Sequence, residues 1–171
     1  MHEIMIKKKL ISIIIILLSL QFAFNTVSND IEKIQIIKEP YYIDTLELIN
    51  YKEKSSLLKD KPASYFIINF WASWCAPCIK EMKSLNSLQE KVPSLRVITI
   101  SQDKSLDLSK KFFKKNKYEA LEKYFDKNKK VLSKFSIRGL PTTFIINQDY
   151  KVLAKVEGII EWDSELFINW L

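Results

Sequence analysis

The chain has few of the residues that build metal centres. Its 171 residues include two cysteines and one histidine. The histidine, His2, stands near the N-terminus, far along the sequence from the cysteines at positions 75 and 78. A zinc cluster takes four ligands, mostly of these two residue types, so at most half of one is present near the cysteines. The composition therefore argues against a zinc protein.

Arginine is nearly absent, although the chain is basic. The formal net charge is +7, and Arg96 and Arg138 are the only arginines. The lysines are spread among acidic residues, which is typical of a solvated surface, whereas a nucleic-acid interface combines arginine and aromatic side chains on one patch. The densest lysine group, at positions 110–117, fits the outer face of a helix, with an acidic partner or lipid headgroups as alternatives. We therefore expect no nucleic-acid partner.

Glycine is equally scarce, and Gly139 and Gly158 are the only two. We expect each to occupy a backbone position that a side chain would obstruct. Gly139 precedes Leu140 and Pro141, which open a predicted strand. Because proline has no N–H to give to a sheet, Pro141 must lie at a strand start, an edge or a bulge. From these residues alone, a trans bond before Pro141 is expected.

The first long hydrophobic run points to export. Three lysines at positions 7–9 precede an apolar run over residues 10–24. This pattern predicts an export signal or membrane anchor over residues 1–28 with its N-terminus in the cytoplasm. Cleavage and anchoring both remain open. Thr26-Val27-Ser28 is a passable cleavage site, and the apolar run, if it is counted as far as Val27, is nearly long enough to span a bilayer. Residues 29–171 then form a single globular domain.

Both cysteines lie in one short motif, Trp74-Cys75-Ala76-Pro77-Cys78. Two thiols at this spacing predict dithiol/disulfide exchange. An apolar strand over residues 65–71 precedes the motif and a helical pattern over residues 79–92 follows it, so the first thiol lies at a helix N-terminus, where a thiolate is favoured. Cys75 is the candidate nucleophile and Cys78 the resolving thiol. A purely structural disulfide is a weaker alternative, since so short a loop restricts the unfolded chain little.

Strand-like and helical patterns alternate along the rest of the chain, which predicts an α/β sheet. After the motif we predict a strand at 95–101, helices at 106–116, 129–135 and 164–171, and antiparallel strands at 142–147 and 151–157. Residues 34–51 are predicted to form an N-terminal hairpin and residues 52–62 a polar link with a helical turn.

The cysteine motif and the later Gly139-Leu140-Pro141-Thr142-Thr143-Phe144 segment together resemble the thioredoxin superfamily. The resemblance covers about residues 57–171 and implies a thioredoxin-like fold, a central mixed sheet with flanking helices. It also implies a cis bond before Pro141, which faces the cysteines. Three further features are similar to the exported branch that includes TlpA, ResA and DsbE (CcmG): Asn69 at a position where cytoplasmic thioredoxins carry aspartate, Glu81 three residues after Cys78, and the segment at 157–162.

The resemblance assigns roles to residues around the motif. Glu81 assists proton transfer at the buried thiol, with an ordinary solvated glutamate as the alternative. Trp74, Ala76, Pro77 and Leu140 form a docking surface, with Leu140 offering backbone hydrogen bonds to an extended substrate segment. Trp71 is expected in the core, and Lys80 and Lys83 in solvent. Lys83 departs from the branch, which often has proline there, and residues 103–128 match an insertion that is a candidate for substrate specificity.

The implied function is reduction of disulfides in exported proteins on the outer face of the cytoplasmic membrane, in the periplasm where there is one. Apocytochrome c is the favoured substrate, with copper-site proteins of cytochrome oxidase assembly comparably placed. A membrane thiol reductase supplies the electrons, and no cofactor is expected beyond the redox-active disulfide. Two alternatives remain. One is a disulfide-forming oxidase or isomerase, since the motif alone does not set the reduction potential. The other is a Cu(I) metallochaperone, although the exported region of this chain lacks the histidine that the branch's copper carriers use.

Overall fold

The computed structural model describes residues 30–171 with the exception of residue 61. The predicted signal or anchor over residues 1–28 lies outside these residues. Residues 33–171 form one compact unit, and a second unit, residues 1–32, contributes only residues 30–32 to the described part. Within the described part, no helix is both long enough and apolar enough to cross a membrane.

In its described residues, the compact unit has eight strands and three α-helices. In chain order they are β1 (Ile34–Ile36), β2 (Glu47–Ile49), β3 (Ser55–Leu57), β4 (Tyr65–Trp71), α1 (Ala76–Lys91), β5 (Arg96–Ser101), α2 (Leu106–Asn116), β6 (Glu122–Phe125), β7 (Thr142–Asn147), β8 (Val152–Glu157) and α3 (Glu165–Trp170). Short 3-10 turns cover Leu58–Asp60, Lys127–Lys129 and Leu132–Lys134.

Six of the strands form one mixed sheet, in the order β1-β8-β7-β4-β5-β6. β4 runs parallel to β5 and antiparallel to β7, and β5 runs parallel to β6. β8 is antiparallel to both β7 and β1. This arrangement confirms the predicted thioredoxin-like α/β fold with a central mixed sheet.

β4 lies inside the sheet because its sequence suits burial on both faces. Residues 66–71 are all buried, and they form the near-continuous apolar run that a central strand requires. One face packs in a core that includes Phe70, Phe135 and Phe144, with ring centroids 5.0 Å apart for Phe70 and Phe135 and 4.6 Å apart for Phe135 and Phe144. Trp71, at the end of the strand, is fully buried, as expected. The buried strand therefore fixes the position of the cysteine motif that follows it.

α1 begins directly after Cys75, as the sequence predicts, with Pro77 in its first turn. Proline is tolerated there because the first N–H groups of a helix have no intrahelical partner. The buried stripe of the helix follows helical spacing and consists of Cys78, Glu81, Met82, Ser84, Leu85 and Leu88. Lys80 and Lys83 face solvent, as expected.

Two predictions at the N-terminal end of the domain are wrong in detail. Residues 34–51 do not form a hairpin: β1 instead pairs with β8, with Ile34 opposite Val156. The local hairpin is β2 with β3, so part of the predicted polar link is a strand, although its helical turn is present at Leu58–Asp60. The Asn50 side chain accepts bonds from the N–H groups of Lys52 and Lys54, which closes the β2–β3 turn.

The predicted helix over residues 129–135 is two 3-10 turns instead. The Asp126 carboxylate accepts bonds from the N–H groups of Val131 and Leu132, and Asn128 and Lys129 have positive φ angles of 64° and 58°. Positive φ at Asn128 and Lys129 prevents a continuous α-helix from running through the first turn into the second.

The glycine prediction holds for one of the two positions. Gly158 has φ of 97°, a conformation that side chains rarely adopt. At Gly139 an added Cβ would meet no other atom within 4 Å, so the expected obstruction there is wrong.

Candidate active site

Cys75 and Cys78 form a disulfide at the N-terminus of α1, with their Cα atoms 5.3 Å apart. Cys75 is the N-cap residue, and its Sγ lies 3.3 Å from the backbone N of Cys78, which donates to it. Cys75 retains 5% exposure, whereas Cys78 is fully buried. The helix dipole and the free N–H groups of the first turn favour a negative charge on Cys75 Sγ. The geometry thus gives the two sulfurs different access and different electrostatics.

A tight turn joins β4 to this disulfide. The N–H of Cys75 donates to the carbonyl of Ala72 at 3.1 Å, which makes Ser73 and Trp74 the central residues of the turn. Asp103 holds that turn: its carboxylate accepts bonds from the Ser73 backbone N at 3.1 Å and from Ser73 Oγ at 2.8 Å. Trp74 consequently projects outward and is 68% exposed.

Asp103 is a site residue that the sequence analysis did not identify as one. It follows β5, is nearly buried, and receives a further bond from Ser101 Oγ at 2.9 Å. β5 is the parallel neighbour of β4, so the carboxyl ends of the two strands meet at the same edge. The sequence does contain a signal for Asp103: it is a polar residue just after β5, the strand next to the one that carries the cysteine motif.

Glu81 lies in the interior, not in solvent. Its side chain is 1% exposed. Oε1 accepts from Asn69 Nδ2 at 2.8 Å, and Oε2 accepts from Trp162 Nε1 at 2.8 Å. Burial raises the pKa of Glu81 to about 7, and the bonds from Trp162 and Asn69 act in the opposite direction. Glu81 therefore changes its charge near neutral pH.

The hydrogen-bond network around Glu81 includes side chains from β4, from β7 and from the segment after β8. Asn69 lies on β4 and also donates to Thr143 Oγ1 on β7 at 2.8 Å, while Trp162 comes from the segment after β8. Asn69 Oδ1 is buried and has no hydrogen-bond partner. Thr143 and Trp162 were missed as site residues, because only the sheet register brings Thr143 to Asn69 and only the return of the chain brings Trp162 to Glu81.

Pro141 lies at the same edge of the sheet as the cysteine motif. In the antiparallel pairing of β4 with β7, Phe70 is opposite Thr142, so Pro141 stands beside the end of β4. The bond between Leu140 and Pro141 is cis, as the family resemblance implies. Pro141 is buried and Leu140 half-buried. A cavity of about 240 Å³ adjoins this segment and is lined by Arg138, Leu140, Pro141 and Gly158, among others.

An exposed apolar surface surrounds Cys75. Trp74, Ala76 and Pro77 are all exposed, and Cys75, between Trp74 and Ala76, is the one buried residue of the four. Ile79, one turn along α1, is 37% exposed and was not predicted as part of this surface. Exposed large apolar groups gathered at one place are typical of a surface that binds another protein.

A metal site was an alternative for the cysteine pair. In the described residues, no group of three or more His, Cys, Asp or Glu side chains is arranged to hold a metal ion. Both cysteines are joined to each other.

A mixed sheet, a disulfide at a helix N-terminus and a cis-proline at the same sheet edge define a thioredoxin-type redox site. A Thioredoxin-like family profile matches residues 63–152, more than half of the chain. The chain therefore belongs to the thioredoxin-like family.

Relatives of known type agree with this assignment. The chain is 32% identical over 160 residues to the thiol-disulfide oxidoreductase ResA of Bacillus thuringiensis, covering 89% of this chain and 90% of the relative. It is 26% identical over 172 residues to sporulation thiol-disulfide oxidoreductase A of Bacillus subtilis, covering 94% of this chain and all of the relative.

A solved structure gives the same result. The putative thiol:disulfide interchange protein DsbE from Chlorobium tepidum superposes with a TM-score of 0.66 at 25% identity, covering 78% of this chain and 94% of the other. The protein is a thiol-disulfide oxidoreductase of the ResA and DsbE type, with the Cys75–Cys78 pair as its redox-active group.

Proposed function

We propose that this enzyme is a reductant that works outside the cytoplasmic membrane and transfers electrons from the Cys75/Cys78 dithiol to disulfides of exported proteins. The observation that carries the exchange chemistry of this proposal is the buried Glu81 carboxyl one helical turn from Cys78, with a pKa raised to about 7 by burial. Residues three apart on a helix are neighbours on one face. A group that ionises near neutral pH is suited to accept a proton from the buried thiol.

The reaction begins at Cys75. Its thiolate attacks one sulfur of the substrate disulfide, which forms a Cys75–substrate disulfide and releases the other substrate sulfur as a thiolate. Cys75 is the attacking thiol because it retains exposure and lies at the helix N-terminus.

Cys78 completes the reduction. Its thiol gives a proton to the Glu81 carboxylate, and the resulting Cys78 thiolate attacks Cys75 Sγ. The mixed disulfide breaks, the Cys75–Cys78 disulfide forms and the second substrate sulfur leaves as a thiolate, which takes up a proton. Two electrons have then passed to the substrate, and a membrane thiol reductase restores the dithiol.

Substrate docking uses the exposed surface around Cys75. Trp74, Ala76 and Pro77 provide apolar contact, and the backbone of Leu140, beside Pro141, offers hydrogen bonds to an extended segment. Recognition through main-chain groups tolerates varied sequences, which suits an enzyme with several protein substrates. Pro141 shapes this side of the site next to the cysteines.

The favoured substrates are apocytochrome c and, comparably, copper-site proteins of cytochrome oxidase assembly. Similarity to proteins named ResA and DsbE supports this choice, and the lysine-flanked apolar run over residues 10–24 supports a location on the outer face of the membrane. In this proposal residues 1–28 are a signal or an anchor and residues 29–171 the catalytic domain.

Trapping of mixed disulfides tests the proposal. Reduced Cys78→Ser protein is mixed with oxidised apocytochrome c, and covalent adducts are separated on non-reducing gels. We expect a dithiothreitol-sensitive adduct with Cys78→Ser and none with Cys75→Ser, the matched control. Adducts with Cys75→Ser alone would reverse the roles of the two thiols, and reduced substrate oxidised by the wild-type disulfide would favour an oxidase.

A further inference from the structure

Trp162 contacts Glu81 from a distant part of the chain. The residues are 81 positions apart, and the indole Nε1 donates to Glu81 Oε2 at 2.8 Å. Trp162 is fully buried, and its ring packs edge-on against Phe167 of α3, with centroids 5.0 Å apart. The C-terminal segment therefore fixes the position of a donor at the carboxyl group.

The other donor to Glu81 has different chemistry. An asparagine amide carries both a donor and an acceptor, whereas an indole is a donor only. Asn69 Nδ2 donates to Glu81 Oε1 and Thr143 Oγ1, and Asn69 Oδ1 is buried without a partner. A half-turn of the amide would present Oδ1 to a proton on Glu81. Asn69 is thus able to donate to the carboxylate or to accept from the protonated acid, while Trp162 can only donate and therefore bonds more strongly to the carboxylate than to the neutral acid.

We propose that Trp162 is a positioning residue that orients Glu81 and selects its ionised form, while Asn69 accommodates both forms. The consequence for catalysis rests on the proposed function, in which the Glu81 carboxylate receives the proton of Cys78. The position of the donor does not depend on that function.

The groups on the elements around Glu81 indicate that its two hydrogen-bond donors, and not a neighbouring charge, influence its ionisation. On α1, Lys80 and Lys83 are exposed and Cys78 is held in the disulfide. β4 and β7 present the neutral Asn69 and Thr143.

The segment that carries Trp162 adds two acidic residues. Glu161 is exposed, and Asp163 is bound by Lys91 and Ser87. The pKa of Glu81 reflects burial first and then the two hydrogen bonds. Loss of the indole N–H will therefore raise this pKa further.

NMR titration of the oxidised full-length protein tests the inference. The Glu81 side-chain carboxyl ¹³C signal and the Trp162 indole ¹H–¹⁵N signal are followed from pH 4 to pH 10. In the wild type both signals should move with one midpoint. In Trp162→Phe the Glu81 midpoint should rise by about one pH unit, a tenfold higher proton affinity.

Trp170→Phe is the matched control, because Trp170 also packs on Phe167, with its ring stacked at 6.1 Å. It should leave the Glu81 midpoint unchanged. An unchanged midpoint in folded Trp162→Phe, or a wild-type indole signal that stays fixed while Glu81 titrates, would overturn the inference. If Trp162→Phe fails to fold, benzothienylalanine at position 162, which replaces the N–H by sulfur in the same shape, takes its place.

Kinetics separate this inference from the proposed function. The rate of disulfide reduction is measured against pH for wild type and Trp162→Phe. A rate profile that moves with the Glu81 midpoint supports both. A midpoint that moves without any change in the rate profile supports the role of Trp162 and contradicts the role of Glu81 as proton acceptor.

Discussion

Cys75 and Cys78 belong to one motif but have different surroundings. Cys75 caps α1 and reaches the surface, whereas Cys78 is fully buried in the first turn. In the reduced protein at pH 7 we expect iodoacetamide to alkylate Cys75 at least about tenfold faster than Cys78, since thiolate character and access both favour it. Mass spectrometry of a time course measures the two rates. Equal rates would contradict the assignment of Cys75 as nucleophile.

Glu81 makes stability depend on pH in a defined direction. Its pKa is raised from 4.5 to about 7. The folded state therefore holds a proton that the unfolded state has released between these values, and stability falls as pH rises through that window, by about 3 kcal/mol at most. Glu81→Gln should lack this loss. Urea unfolding of the oxidised proteins at pH 4 and pH 8 measures it, and an identical pH dependence in both proteins would refute the burial of an ionisable Glu81.

Asp103 is expected to support activity through Ser73. Asparagine at this position replaces one acceptor oxygen by a donor, which faces the N–H and O–H groups of Ser73 and Ser101. Asp103→Asn should cost about 1–3 kcal/mol of stability and slow disulfide reduction, because the turn that carries Trp74 loosens. Asp107→Asn, an exposed aspartate in the first turn of α2, is the control. Wild-type kinetics and stability in Asp103→Asn would show that the turn holds without it.

Local pattern identified some site residues and not others. Cys75 and Cys78 follow from the spacing of two thiols in one short motif, and Glu81 follows from the family resemblance of the segment just after it. Thr143 reaches Asn69, the partner of Glu81, only through the pairing of β4 with β7, and Trp162 reaches Glu81 only through the return of the chain after β8. Trp162 ends the segment at 157–162 that is similar to the exported branch, but that similarity does not indicate a contact with Glu81.

At the scale of elements, long periodic segments were predicted well. α2 at Leu106–Asn116 and β7 at Thr142–Asn147 match their predicted bounds. β1 and β6 were not predicted as members of the sheet, because each is short and is defined by its pairing partner, β8 and β5 respectively. Propensity alone carries little information for strands of three or four residues.

Packing of α1 on the sheet should determine how firmly the disulfide is held. Leu85 is fully buried on the inner face of α1, and Lys83 lies on the outer face. Leu85→Ala should cost about 2–5 kcal/mol, because it removes buried atoms and leaves a cavity. Lys83→Ala should change stability by less than about 0.5 kcal/mol. Chemical denaturation of the oxidised proteins measures both, and a small effect of Leu85→Ala would show that α1 is loosely packed.

For the whole molecule, the fold and the redox motif are common to enzymes that reduce disulfides and enzymes that form them. The direction of electron flow depends on the reduction potential relative to that of the partner. Neither the sequence of Ala76 and Pro77 nor the geometry of the site gives that potential directly. The proposal of a reductant therefore depends on a thermodynamic quantity of the entire protein.

The most direct test is the reduction potential of the Cys75–Cys78 disulfide. The purified protein is equilibrated with dithiothreitol or glutathione buffers, and the fraction of disulfide is read by alkylation and mass spectrometry. For a reductant we predict a value near that of thioredoxin, about −270 mV. A value near that of a strong oxidant, about −120 mV, would contradict it and make disulfide formation the function.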